Sequence, residues 1–172
     1  MEKQEIIKVV SKEGQEFGVS KDVWSLSTTL THAFEEYKDK EKLITIPLEN
    51  VESKTISYFI SFALIYATLT EEDKQTKISS FNDWETSFLE SLKEDGFNDE
   101  EKDRNLKINL LKIINMANYL AIQPLIQLCA KRIAREIEGL KSEDVLKKFY
   151  LSPENFSKEE KERIDAELSF EK

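Results

Sequence analysis

Ile114-Asn115-Met116-Ala117-Asn118-Tyr119-Leu120-Ala121-Ile122-Gln123-Pro124-Leu125 reads as the end of one helix, a tight corner and the start of a second helix. Leu106, Leu110, Ile113, Ile114 and Ala117 recur at i, i+4, i+7, i+8 and i+11, which places them on one face of the first helix. Pro124 suits the opening turn of the second, where its fixed φ fits and its missing N–H costs nothing. Ile126, Cys129, Ile133, Ala134 and Ile137 make the inward stripe of that helix, and Gly139 is its expected stop.

Toward the C-terminus the spacing predicts two short helices. Ser142 is the expected cap of one, whose stripe is Val145, Leu146, Phe149 and Tyr150. Ser157-Lys158-Glu159-Glu160 has the capping-box pattern for the other, which carries only Ile164, Leu168 and Phe170 as apolar anchors. Such a helix is marginal in water unless it lies on a surface or orders against a partner.

Toward the N-terminus the period changes. Ile6, Ile7, Val9 and Val10 read as a strand, Lys12-Glu13-Gly14-Gln15 as a turn, and Phe17 and Val19 as the return strand of a hairpin. Residues 25–37 return to a helical period through Leu26, Leu30, Ala33, Phe34 and Tyr37, and Leu43–Ile46 reads as a short strand closed by Pro47. Residues 53–67 predict a largely buried helix with Ser53 as its cap. Residues 68–83 read as a solvated loop, Trp84–Leu92 as a short helix anchored by Trp84, Phe88 and Leu92, and residues 93–105 as a second, acid-rich loop. A few early strands followed by helices is an α+β order.

Composition narrows the function. The 172 residues carry a formal charge of −9, which repels phosphate backbones and anionic membrane surfaces, so neither nucleic acid nor membrane is an expected partner. The start, Met1-Glu2-Lys3-Gln4-Glu5, lacks the apolar stretch of a signal peptide. The single cysteine forms no internal disulfide, consistent with a cytoplasmic and nuclear setting. No Cys/His cluster suits a metal and the four scattered glycines build no phosphate loop, so no cofactor is expected. The one formal nucleophile–base pair is Cys129 with the lone histidine, His32; Cys129 lies on an apolar stripe, where cysteine acts as a small hydrophobe. No catalytic residue is assigned.

The corner segment is similar to the A-A-N-Y-L-x-I-x-x-L string of the S-phase-kinase-associated adaptor family, the F-box-binding subunit of SCF-type cullin ubiquitin ligases. Cys129-Ala130-Lys131-Arg132-Ile133-Ala134, Ser142–Phe149 after Gly139, Asn155–Glu160, Ile46–Val51, and Asp83-Trp84-Glu85 with Phe88-Leu89 resemble further strings of that family in the same order. The acidic run at 38–42 is shorter than the family's and the loop at 93–105 longer. The end, Ile164–Phe170, lacks the family's closing tryptophan.

The resemblance implies a BTB/POZ domain at 1–138, a small sheet with helices, and a helical F-box-binding extension at 139–172. It implies a non-enzymatic adaptor with two partners. A cullin N-terminal domain would meet Asn118 and Tyr119. An F-box protein would meet Leu125, Leu128, Ile133, Ile137, Phe149, Leu151, Phe156, Leu168 and Phe170. Tyr119 has two readings, a partner contact or a ring that plugs the corner; Asn118 has two, a contact or a cap. Ile133 and Ile137, on the inward stripe, fit the core better than a partner. Apolar tail groups also leave self-association open when no F-box protein is bound. Rival readings are an elongin C-type adaptor or other BTB protein, a diverged paralogue or viral mimic with a different partner, a scaffold outside ubiquitin transfer, and a small hydrolase using Cys129.

Overall fold

A computed structural model describes residues 5–38, 43–75, 80–94, 96, 98–151, 157–159 and 162. The chain forms two compact units, Met1–Arg132 and Ile133–Lys172.

The first unit opens with the expected hairpin. Strands β1 (Ile6–Val10) and β2 (Glu16–Ser20) pair antiparallel, with Ile6 opposite Ser20 and Val10 opposite Glu16. Gly14 takes φ +83° in the turn, a conformation that is cheap only for glycine. Ile7, Val9 and Val19 bury one face, while Lys8 and Glu16 pair at 2.7 Å on the other. Helices α1 (Lys21–Trp24) and α2 (Thr28–Tyr37) then carry the chain across to β3 (Thr45–Pro47). β3 runs parallel to β1, giving the order β2-β1-β3. Pro47 lies on an edge strand, where its missing donor is tolerated. The stretch before α2 is more structured than its sequence suggested. Trp24 in α1 is buried, stacks on Phe34 at 4.5 Å and donates from Nε1 to the Glu5 carbonyl at 3.1 Å.

Helix α3 (Ser53–Thr68) buries Ile56, Phe59, Phe62 and Ala63. It is only half-buried, because Leu64 and Ala67 face outward despite the largely apolar sequence. Ser53 is its first residue and not its cap, which is Glu52. The carboxylate of Glu13, from the hairpin turn, accepts from the Ser53 hydroxyl at 2.7 Å and the Ser53 N–H at 2.9 Å, so it satisfies a helix-start donor from outside the helix. The hydroxyl bond first, and the N–H bond next, hold the Glu13 pKa down from its usual 4.5 to about 2. A depressed carboxylate stabilises the fold fully above its unfolded value and loses that contribution as pH falls through its folded value. Glu13→Gln is therefore expected to flatten the fall in melting temperature between pH 4.5 and about 2, read by circular dichroism against the parent chain.

Helix α4 (Asp83–Ser91) buries Phe88 and Leu89, with Leu92 buried just after it. Phe62 meets the Phe88 ring edge-on at 5.4 Å and the Trp84 ring at 6.1 Å. The acid-rich stretch corrects the sequence reading, because helix α5 (Asp99–Tyr119) begins inside it. Asn98 caps α5 by accepting from the Glu101 N–H at 2.9 Å, and Asp99, Glu100 and Glu101 occupy the first turn, where the helix dipole favours acids. The short connection before α5 is held by Glu94. Its carboxylate accepts from the Tyr58 hydroxyl at 2.8 Å and the Asn109 amide at 2.7 Å, and it pairs with Lys54 at 2.6 Å. Leu106, Leu110, Ile113, Met116 and Ala117 bury the inward face of α5.

Helix α6 (Gln123–Ile137) follows the corner with Pro124 in its first turn, and Gly139 takes φ +75° after it. In the second unit, α7 (Ser142–Lys148) has Lys141 and not Ser142 at its N-cap position. It closes with bonds from the Tyr150 N–H to Lys147 at 3.0 Å and from the Leu151 N–H to Leu146 at 2.9 Å. This Schellman geometry places Tyr150 at φ +56°. The second tail helix falls mostly outside the described residues.

Candidate functional site

The corner after α5 is closed by backbone. The Ala121 N–H donates to Asn118 at 3.2 Å and the Ile122 N–H to Ala117 at 2.8 Å, with Ala121 at φ +51°. The last carbonyls of α5 are taken up by the start of α2. Ser27 Oγ donates to the Leu120 carbonyl at 2.5 Å and accepts from the Leu30 N–H at 3.1 Å, serving as the α2 cap. Thr29 Oγ1 donates to the Tyr119 carbonyl at 3.3 Å. One buried serine thus ties a helix start to a helix end, and nothing in its local sequence marks it.

This arrangement leaves no corner-plugging role for the Tyr119 ring. Leu120 and Ile122 are the residues that plug the corner, both wholly buried. Tyr119 is 62% exposed, and Asn118 beside it is also exposed. Both therefore stand on a rigid backbone with their side chains outward.

Tyr119 also borders a groove of about 350 Å³. Lys112, Asn115, Met116 and Tyr119 lie at i, i+3, i+4 and i+7, so α5 presents them on one face. Pro47 at the end of β3, with Glu49 and Asn50 just after it, forms the opposite rim. Val51, Thr55 and Met116 are buried and make a mostly apolar floor. Lys112 reaches Glu52 at the α3 cap position, with Nζ 2.7 Å from Oε2. Sequence reading missed Glu49, Glu52, Lys112 and Met116 as site residues. The pairing of β3 with β1, which is not local, brings 47–52 beside α5.

The expected F-box contacts divide. Leu125 and Leu128 are 0% exposed and pack as core side chains in this structure. Phe149 is likewise buried. Ile133 and Ile137 are half-buried and Leu151 is exposed. Leu140 and Tyr150, which were not among the expected contacts, are exposed with it in the second unit. Phe156, Leu168 and Phe170 lie outside the described residues.

Cys129 is wholly buried, and desolvation pushes its thiol up to about 12, while His32 is exposed. Those environments disfavour Cys129 as a nucleophile, because the thiolate is the reactive form. The native chain is expected to react with a thiol-alkylating reagent roughly a thousandfold more slowly than free cysteine, and denaturant is expected to restore the ordinary rate. A fast native rate, followed by mass spectrometry, would reopen that reading. Among the described residues there is no group of three or more His, Cys, Asp or Glu placed to hold a metal ion, and no helix long and apolar enough to cross a membrane.

Comparison with known families matches residues 5–66 to the Skp1 family tetramerisation domain and residues 123–169 to the Skp1 family dimerisation domain. The chain belongs to the Skp1 family. The first match fits the POZ-like, α+β organisation of the first unit. Among relatives, the chain is 28% identical over 168 residues to suppressor of kinetochore protein 1 of Schizosaccharomyces pombe, covering 94% of each. It is 29% identical over 164 residues to SKP1-like protein 11 of Arabidopsis thaliana, covering 94% of this chain and 93% of that one. It is 25% identical over 167 residues to the E3 ubiquitin ligase complex SCF subunit sconC of Emericella nidulans, covering 95% and 94%. The two Skp1-family matches leave residues 67–122 between them, so the α5 face of the groove stands outside both matched segments.

Proposed function

We propose that this chain is a non-catalytic adaptor subunit of an SCF-type ubiquitin ligase, bridging an F-box substrate receptor to a cullin. Membership of the Skp1 family supports the adaptor role, as does the SCF-subunit name of the sconC relative. The observation that carries the bridging role is Tyr119. An aromatic side chain 62% exposed on a fixed corner, at the rim of a groove, has the character of an interface anchor and not of a core residue. In this reading the cullin N-terminal domain docks on the Tyr119 corner. The F-box protein docks on the second unit through Ile133, Ile137, Leu140, Tyr150 and Leu151, together with Phe156, Leu168 and Phe170. The adaptor works in cytoplasm and nucleus, and its tail self-associates when no F-box protein covers it.

Truncation tests the division of labour. A chain ending at Gly139 is expected to lose F-box binding while keeping cullin binding, both read by co-purification. Equal loss of both, with melting showing a folded chain, would contradict two separate faces.

A further inference from the structure

The groove beside Tyr119 has a charge pattern that fits one kind of partner. Its floor is mostly apolar, through Val51 and Met116. Its rim carries two carboxylates and one ammonium group. Glu52 and Lys112 satisfy each other at 2.7 Å, and each is about two-fifths exposed. Glu49 is exposed and, among the described residues, has no ion-pair partner. The groove therefore offers an apolar floor, a neutralised Glu52–Lys112 pair and a spare acid, Glu49. The chain's net charge of −9 adds to the negative potential around that spare acid.

We propose that Glu49 is the specificity-determining residue of this groove, which takes a partner segment presenting an apolar side chain flanked by arginine or lysine. The apolar side chain would cover Met116 and Val51, and the cation would pair with Glu49. This inference rests on the adaptor reading for the identity of the partner, a cullin N-terminal domain, but its charge rule stands on the groove itself. An acidic partner segment would meet Glu49 unpaired and like-charged, a costly juxtaposition at an interface.

The test uses the full chain and a cullin N-terminal domain, titrated calorimetrically at low and high salt. Glu49→Lys is expected to weaken binding by at least about tenfold at low salt, with the loss shrinking as salt screens the rim. Lys112→Glu, which makes the rim more acidic, is expected to tighten binding at low salt. Opposite signs, or no change for Glu49→Lys in a parent chain that binds, would overturn the charge rule and leave the adaptor reading standing. If the parent chain binds no cullin domain, the adaptor reading fails and a second probe decides the charge rule. That probe is a short helical peptide with leucine beside arginine, compared with its leucine–glutamate counterpart, followed by the Met116 methyl NMR signal. Perturbation by the arginine peptide alone supports the rule; perturbation by neither, or by the glutamate peptide, overturns it. Both substituted residues are exposed, and unchanged melting of each variant confirms that the effect is on binding.

Discussion

Asn118→Lys combined with Tyr119→Lys is expected to weaken cullin binding by roughly a hundredfold or more, while F-box binding persists. Truncating or charging one central anchor of an interface typically costs about 2–4 kcal/mol, and about 1.4 kcal/mol is tenfold in affinity. Both side chains face solvent on a corner closed by backbone bonds from Ala121 and Ile122, so the fold does not depend on them. Melting should shift by no more than the about 0.5 kcal/mol usual for surface changes. The measurement is titration calorimetry of the double variant against each partner separately. Retained cullin affinity would remove Tyr119 from the interface. Loss of both partners in a chain that melts normally would show that the two faces are not independent.

The largest expected effect on stability lies elsewhere, at a buried ion pair. Glu85 is 0% exposed and the Lys131 side chain 8%. The Lys131 ammonium stands 2.8 and 2.9 Å from the two carboxylate oxygens, and it also lies over the Phe81 ring at 4.5 Å. The same carboxylate accepts from the Asn82 N–H at 2.7 Å, so one group secures the start of α4 and links it to α6. Lys131→Ala leaves a buried carboxylate without its cation. The expected cost is about 3–5 kcal/mol, which for a chain of this length lowers the melting temperature by roughly 6–20 °C. Lys131→Met with Glu85→Gln removes both charges and keeps an acceptor for Asn82, so it should recover much of the loss. A single variant that melts within about 1 °C of the parent would mean that water reaches the carboxylate and that the pair does not hold these helices together.

The elements readable from sequence share a local cause. The hairpin is visible because a β-branched run meets Gly14, whose φ of +83° the turn requires. The α5–α6 corner is visible because a 3.6-residue period stops and restarts around Pro124. The misreadings also have specific causes. Asp99, Glu100 and Glu101 look like a solvated loop by composition, yet acids are what the first turn of a capped helix favours. Residues 53–67 are rich in apolar side chains and so look largely buried, yet Leu64 and Ala67 face outward. Ser27 and the groove were invisible because each depends on a distant partner, Leu120 in one case and the β1–β3 pairing in the other. Within the candidate site, Asn118 and Tyr119 were singled out by the family resemblance of the corner segment, and the periodic pattern alone did not mark them. The sorting of tail apolar residues was not legible: periodicity placed Tyr150 on an inward stripe, but the left-handed close of α7 turns the chain there and leaves its side chain exposed.

The most direct test of the bridging role is co-expression of this chain with an F-box domain, followed by size-exclusion chromatography with a cullin N-terminal domain. The account predicts a single peak containing all three proteins in equal amounts, and no complex between the F-box and cullin domains when this chain is omitted. Failure of this chain to bring the two together, whether it binds one of them or neither, would contradict it.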